Sequence, residues 1–260
     1  MKHFWKVDDF DWGIFGFRVA KITEIDSSGT AKALSGRIET LKKELVKNKV
    51  AYATHRVLAN NFPMIHALEQ AGFILIDGLI SLSLDLSSME PKKKGFKANQ
   101  PGGLIREAKK SDLSELKEIT TNLYSNTRIT NDPLTRGRAN EYYKKWIENS
   151  VNGSAADAVL VWEADDEILG YVTLQKKVLE GTARRGSAPE GQIPLIGVSE
   201  QARGKGIGSK LLNAAFAKFK KWGVKKVNID TQMGNIPALR AYQGVGFKIS
   251  DSHLTFRWAP

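Results

Sequence analysis

The chain has 260 residues, 42% of them hydrophobic and none of them cysteine; disulfides, thiolate nucleophiles and thiolate metal sites are excluded, and a reducing cytoplasm is the expected setting. No apolar run approaches the ~20 residues of a membrane span, and four scattered histidines form no metal-ligand spacing such as HExxH, so neither membrane insertion nor a metal is expected. The net charge of +11 is uneven, with +1 on residues 1–86, +3 on 87–103 and +7 on 104–260, which suits a polyanionic ligand on the second half, whereas no zinc-finger, homeodomain or ribonucleoprotein pattern points to nucleic acid.

In chain order, the opening MKHFWKVDDFDW carries acids and aromatics where a signal peptide needs an apolar core. An amphipathic helix follows, with Leu34, Ile38, Leu41 and Leu45 on one face. After it comes the strand-like VAYAT. Ser87–Gly103, SSMEPKKKGFKANQPGG, has no apolar period and reads as a linker between a domain at 1–86 and one at 104–260. Beyond it, Leu104–Ala108 reads as a strand, and Ser111 as the cap of a helix presenting Leu113, Leu116, Thr120 and Leu123. Arg136–Ser150 is a second helix, carrying Tyr143, Trp146 and Ile147. Ala158–Glu163 and Ile168–Leu174 form a hairpin around ADDE. Gln192–Val198 is a strand, and the run from Ile207 to Phe219 a helix. Val224–Thr231 is a strand, Ile236–Gly244 a helix and Phe247–Trp258 a last β segment. The pattern is an α/β fold (α+β in its mixture) with a mixed central sheet and flanking helices.

The chain also repeats itself. NFPMIHALEQAGFILIDGLISL from Asn61 and NIPALRAYQGVGFKISDSHLTF from Asn235 align without a gap over 22 residues at an offset of 174. Asn, Pro, Ala, Gly, Phe and Asp recur in step, and each segment follows a helix and a strand-like run. Two copies of one half-fold are implied, the first truncated. Only the second has the glycine-rich stretch EQARGKGIGSKLL, and only the second has Tyr242, where the first has Leu68.

That stretch lies between the strand-like PLIGV and a helix. A glycine turn opening a helix gathers N–H groups, and the helix terminus adds partial positive charge, so it attracts an anion. Walker A spacing is absent, and the dinucleotide GxGxxG fails because Ser209 stands where the last glycine belongs. What is present is Q-x-x-G-x-G, at Gln201, Gly204 and Gly206. It is followed by N-x-x-A-x-x-x-Y-x-x-x-G-F from Asn235 through Tyr242 to Phe247.

These blocks resemble the coenzyme A site of the GCN5-related N-acetyltransferases (GNAT). A narrower resemblance, to the TDP-fucosamine acetyltransferases, rests on DWGIFGFRVAKI, RANEYYKKWIENSV and DTQMGNIPALRAY. Those enzymes pair a truncated GNAT-like domain with a catalytic one and acetylate the 4-amino group of a nucleotide-linked amino-deoxysugar. The insert Lys176–Gly191 and the basic linker depart from that group.

The resemblance implies acetyl-CoA as cosubstrate. Its pyrophosphate would lie on Arg203, Gly204, Lys205, Gly206, Ile207, Gly208 and Ser209, and its pantetheine arm along Leu195, Ile196, Gly197 and Val198. Asn235 would touch the coenzyme, and Tyr242 would be the general acid. Thr231, Gln232, Arg128 and Asp132 are expected at the acceptor, alongside Asn131, Tyr142 and Trp146. Asp230, Glu163 and Glu200 are the carboxylates nearest in sequence, and none is assigned as base. The implied partner is a small-molecule amine, foremost a nucleotide-sugar. A protein N-terminus, a lysine or a polyamine stays open as acceptor, as do a noncatalytic coenzyme A sensor and a homodimer.

Overall fold

The computed structural model describes residues 3–89, 99–100, 102–177 and 189–260. The basic stretch 90–98 and most of the insert, 178–188, lie outside the described residues.

The first copy runs β1 (His3–Val7), α1 (Asp9–Phe15), β2 (Val19–Ile25), α2 (Ala31–Lys47), β3 (Tyr52–Leu58), α3 (Phe62–Gln70) and β4 (Ile74–Asp85). Leu34, Ile38, Leu41 and Leu45 are all buried on one stripe of α2, as their spacing requires. The next elements are β5 (Asn99–Gln100), β6 (Gly103–Glu107), α4 (Leu113–Thr120), α5 (Arg128–Asn131) and α6 (Ala139–Val151). Two sequence expectations change here. Asn99–Gln100, placed in the linker, bonds to Leu104 and Gly103 as a strand. Ser111 does not cap α4. Asp112 stands at the N-cap position but makes no side-chain bond to α4; its carboxylate turns back to accept the Lys109 N–H at 2.7 Å, closing the short turn Lys110–Asp112, while Arg106 holds it from the other side.

The second copy continues with β7 (Ala158–Ala164), β8 (Glu167–Lys177), β9 (Glu190–Ile193), β10 (Ile196–Val198), α7 (Ile207–Lys221), β11 (Lys226–Gln232), α8 (Ile236–Gly244) and β12 (Lys248–Trp258). The β7–β8 turn puts Asp165 and Asp166 at φ 50° and 60°, the two positive angles of a type I′ hairpin. The sequence read one strand over Gln192–Val198; the structure breaks it at Pro194, which has no N–H for a ladder.

The repeat is present in three dimensions. At the offset of 174, β3 falls on β11 and α3 on α8 with identical bounds. Asn61 and Asn235 cap their helices alike, with φ/ψ of −88°/65° and −85°/67° and each side chain accepting an N–H at 3.3 Å.

All the strands belong to one sheet, in the order β1-β2-β3-β12-β4-β11-β9-β8-β7-β6-β5, with β10 beside β8. The final strands of the two copies are exchanged. β4, from the first copy, lies against β11 of the second, and β12 lies against β3. The two also pair with each other, antiparallel, with His253 opposite Leu79. Those two residues are themselves 174 apart, so a local two-fold passes between them. Asp230↔Ser81 on one side then reappears as Thr255↔Arg56 on the other. Packing follows the exchange. Leu82 and Leu84 of β4 sit in the core under α7, and Phe256 and Trp258 of β12 sit in the core under α2.

Candidate active site

A fork opens in the sheet beside β11. The parallel pairing of β9 with β11 ends at Ile193↔Ile229. After Pro194 the chain continues as β10, which among the described residues pairs with β8 alone. Leu195 and Ser199 bond toward β8. By alternation Ile196 and Val198 turn their backbone groups the other way, into the fork. Their carbonyls receive the Tyr124 hydroxyl at 3.2 Å and Arg203 Nε at 3.4 Å. Gly197 is required by close packing: a Cβ there would stand 2.5 Å from Leu123 and 2.9 Å from the Tyr171 ring. An open strand edge of this kind can hold an extended amide chain by β-like addition.

At the end of β10 the predicted loop is in place. Gly204 and Gly206 have φ of 78° and 74°, the left-handed region glycine enters without penalty. Gly206 is the N-cap of α7 and offers no side chain to it. The first N–H groups of that helix, on Ile207, Gly208 and Ser209, are therefore left for an external acceptor. Arg203 and Lys205 are exposed beside them. The first copy is closed at the same place: Thr30 caps α2, its hydroxyl accepting from Ala33, and Arg37 ties down the carbonyls of Asp26 and Ser28. An oxygen-rich pyrophosphate on an amide-bearing arm fits the second copy's loop and strand edge, and does not fit the first.

Tyr242 projects from α8 into the core beneath the fork, 7% exposed. Burial alone raises its phenol above the ordinary value. Tyr124 approaches from the other side, its hydroxyl 3.0 Å from that of Tyr171, whose pKa burial lifts to about 12. Tyr124 was not among the sequence expectations. It lies between α4 and α5, in a stretch with no helical period to mark it. Asn235 stays on the surface as the α8 cap.

The expected acceptor residues separate. Gln232 hydrogen-bonds Asp77 of β4, and burial raises that carboxyl's pKa against this bond and the Arg128 N–H at 3.2 Å. Thr231 is buried, pointing to the α7 side of the sheet. Arg128 is gripped through both nitrogens by Asp11, at 2.8 and 3.1 Å, and donates to Tyr142. Asp132 is fully buried and receives the Tyr52 hydroxyl at 2.9 Å and the Leu134 N–H, with Arg257 at 3.2 Å. The structure thus corrects the expectation for Asp132, which braces the two copies and has no free face for a ligand. Trp146 stacks on Tyr143 at 6.3 Å and belongs to the α6 core.

Of the three carboxylates, Glu163 is taken by Arg106 and Glu200 is an exposed side chain at the start of the glycine loop. Asp230 alone faces the sheet beside the fork.

Comparison with known proteins points to the family that the sequence motifs resemble. A sequence model of the acetyltransferase (GNAT) family matches residues 121–247, which covers the fork, the glycine loop and the whole of α8. The chain is 25% identical to a dTDP-fucosamine acetyltransferase of Escherichia coli O6:H1, over 76% of this chain and 77% of that one. It is 24% identical to the spore coat polysaccharide biosynthesis protein SpsD of Bacillus subtilis, over 92% and 76%. Among solved structures, a GCN5-related N-acetyltransferase from Sphaerobacter thermophilus superposes with a TM-score of 0.65 at 14% identity, covering 99% of this chain and 76% of that one. A tandem GNAT protein from the clavulanic acid pathway superposes at 0.59 and 15%, covering 94% and 76%. At these identities the superpositions speak for the fold.

Proposed function

We propose that this chain, which belongs to the GNAT acetyltransferases, moves acetyl from acetyl-CoA to the primary amine of a nucleotide-linked amino sugar, with residues 104–260 catalytic and 1–86 a truncated copy without a donor site. The single observation that carries the donor side is the fork running into an uncapped helix N-terminus in the second copy, set against the capped one in the first. The sugar acceptor draws support from the two relatives, one named for fucosamine acetylation and one for polysaccharide biosynthesis, which align with most of the chain.

The pyrophosphate would take the N–H groups of Ile207 to Ser209 and the charges of Arg203 and Lys205. The pantetheine amides would bond along Ile196 and Val198. The acceptor's neutral amine attacks the thioester carbonyl, the C–S bond breaks, the nitrogen's surplus proton passes to water and the sulfur gains one. Tyr242 is the proton donor. A phenol above pKa ~10 is a weaker acid than a thiol near ~8.5 in water, but a thiolate forming in the same dry site is destabilised too. The transfer is thereby brought closer to balance.

Release of free coenzyme A is to be measured against a panel of amino-sugar nucleotides, polyamines and peptides. Turnover confined to the amino-sugar nucleotides is the expected result. Turnover confined to polyamines or peptides refutes the sugar, and tight acetyl-CoA binding with no turnover anywhere points to a coenzyme A sensor.

A further inference from the structure

The exchanged strands bring a polar face together that neither copy has alone. On β11, Val227, Ile229 and Thr231 are buried toward α7, so Asn228, Asp230 and Gln232 occupy the opposite face. On β2 and β3, Ala20, Ile22, Ala53 and Val57 pack under α2, which puts Lys21, Thr54 and Arg56 on that same opposite face. Asp230 and Arg56 are repeat-equivalent, 174 apart, and meet across the local two-fold. Arg56 Nη1 lies 3.7 Å from Asp230 Oδ2, with the side chains 44% and 36% exposed. Ser81 of β4 donates to the other carboxylate oxygen at 2.7 Å, and His253 stands 3.5 Å from that hydroxyl. Asp230 is also the first residue of β11 beyond its last pair with β9. It therefore lies at the mouth of the fork, on the face opposite Tyr242.

A long, exposed ion pair is worth little, about 0–1 kcal/mol, and opens at small cost. Lys21 adds a second cation, exposed and with no ion pair among the described residues. Arg56, Arg128 and Lys6 act on it as like charges against the single carboxylate of Asp8, so its surroundings favour an added anion.

We propose that the Arg56–Asp230 pair is the acceptor-recognition element and opens to seat an amine that also carries a phosphate, with the amino group donating to Asp230 and the phosphate on Arg56 and Lys21. This rests on the acetyltransferase reading above and narrows its acceptor. The second copy holds the donor, and the first supplies the cations that select the acceptor. A polyamine would meet Lys21 and Arg56 as like charges, and a free amino sugar would leave both unanswered.

The test compares kcat/KM for dTDP-4-amino-4,6-dideoxygalactose, the same amino sugar without its nucleotide, and spermidine. It uses the full chain and the variants Arg56→Gln and Lys21→Gln, with melting curves and acetyl-CoA affinity measured alongside. The expected result is a preference of at least tenfold for the nucleotide-linked amine, lost in Arg56→Gln and weakened in Lys21→Gln, with acetyl-CoA affinity unchanged. Arg56→Lys restores part of it. A preference that survives in both folded glutamine variants overturns this assignment and leaves the acetyltransferase reading standing. If the unaltered chain does not turn over the nucleotide-linked amine, the sugar-nucleotide acceptor and this assignment fall together.

Discussion

Tyr242 and Leu68 occupy equivalent positions in the two copies, seven residues after Asn235 and Asn61, and both are buried. Packing is therefore a role either residue can fill, and only the hydroxyl separates them. Tyr242→Phe keeps the ring against Phe247, 6.1 Å away between centroids, and removes the proton. Loss of a general acid costs about 10²–10⁴ in rate, so kcat should fall by that much, with the KM for acetyl-CoA nearly unchanged and the melting temperature little altered. Near-full kcat in the folded variant, with chemistry rate-limiting, would hand the role to water. The direction of the pKa shift gives a second expectation. The acid acts in its protonated form, and burial raises Tyr242 above the usual phenol value of ~10. Activity should thus persist as pH rises through 10 and decline only as the raised value is passed. An alkaline limb below pH 9 that vanishes in Tyr242→Phe would contradict the raised pKa.

Among the elements, the fork and the loop make the donor site, and the glycines in the loop are not equivalent. Gly204 and Gly206 have positive φ, so a side chain there strains the backbone whatever it does to a ligand. Gly208 is inside α7, and a Cβ there would meet nothing closer than Val198 at 4.0 Å. Gly208→Val is therefore the cleaner probe. It should lower acetyl-CoA affinity at least tenfold by calorimetry and leave stability unchanged or raised by a few tenths of a kcal/mol (~0.3), since valine is a better helix former than glycine. Unchanged affinity would remove the pyrophosphate from this loop. Much of this region was legible in the sequence. The bounds of α8 and its Asn235 cap follow from Asn-x-Pro before an apolar period and Gly-Phe after it. The break at Pro194 was not legible, because PLIGV is apolar throughout and reads as one buried strand. Asp77, Ser81 and Arg56 were not placed at the site either. Alternation tells which face of a strand is buried, whereas the identity of the neighbouring strand decides what those side chains meet.

The same limit applies at the scale of the molecule. Two copies in tandem suggest two separate sheets, and the alternation in β4 and β12 satisfies that arrangement as well as the exchanged one. The exchange means that Leu82 and Leu84 complete one core while Phe256 and Trp258 complete the other. Each such side chain contributes about 1.5–3 kcal/mol on burial, so the four together approach ~10 kcal/mol, comparable to the whole stability of a domain. β11 would also lose the partner on its β4 side, and a bare strand edge invites aggregation. Residues 104–260 expressed alone should accordingly fail to fold as a stable monomer. A gentler version keeps every residue. With a protease site placed between 90 and 98 and cut in the folded protein, the two pieces should co-elute under native conditions and unfold in one cooperative transition, because each holds a strand in the other's core. Separation into two folded pieces, one still binding acetyl-CoA with the affinity of the intact chain, would show that the exchange carries little of the stability and that the first copy is dispensable to the fold.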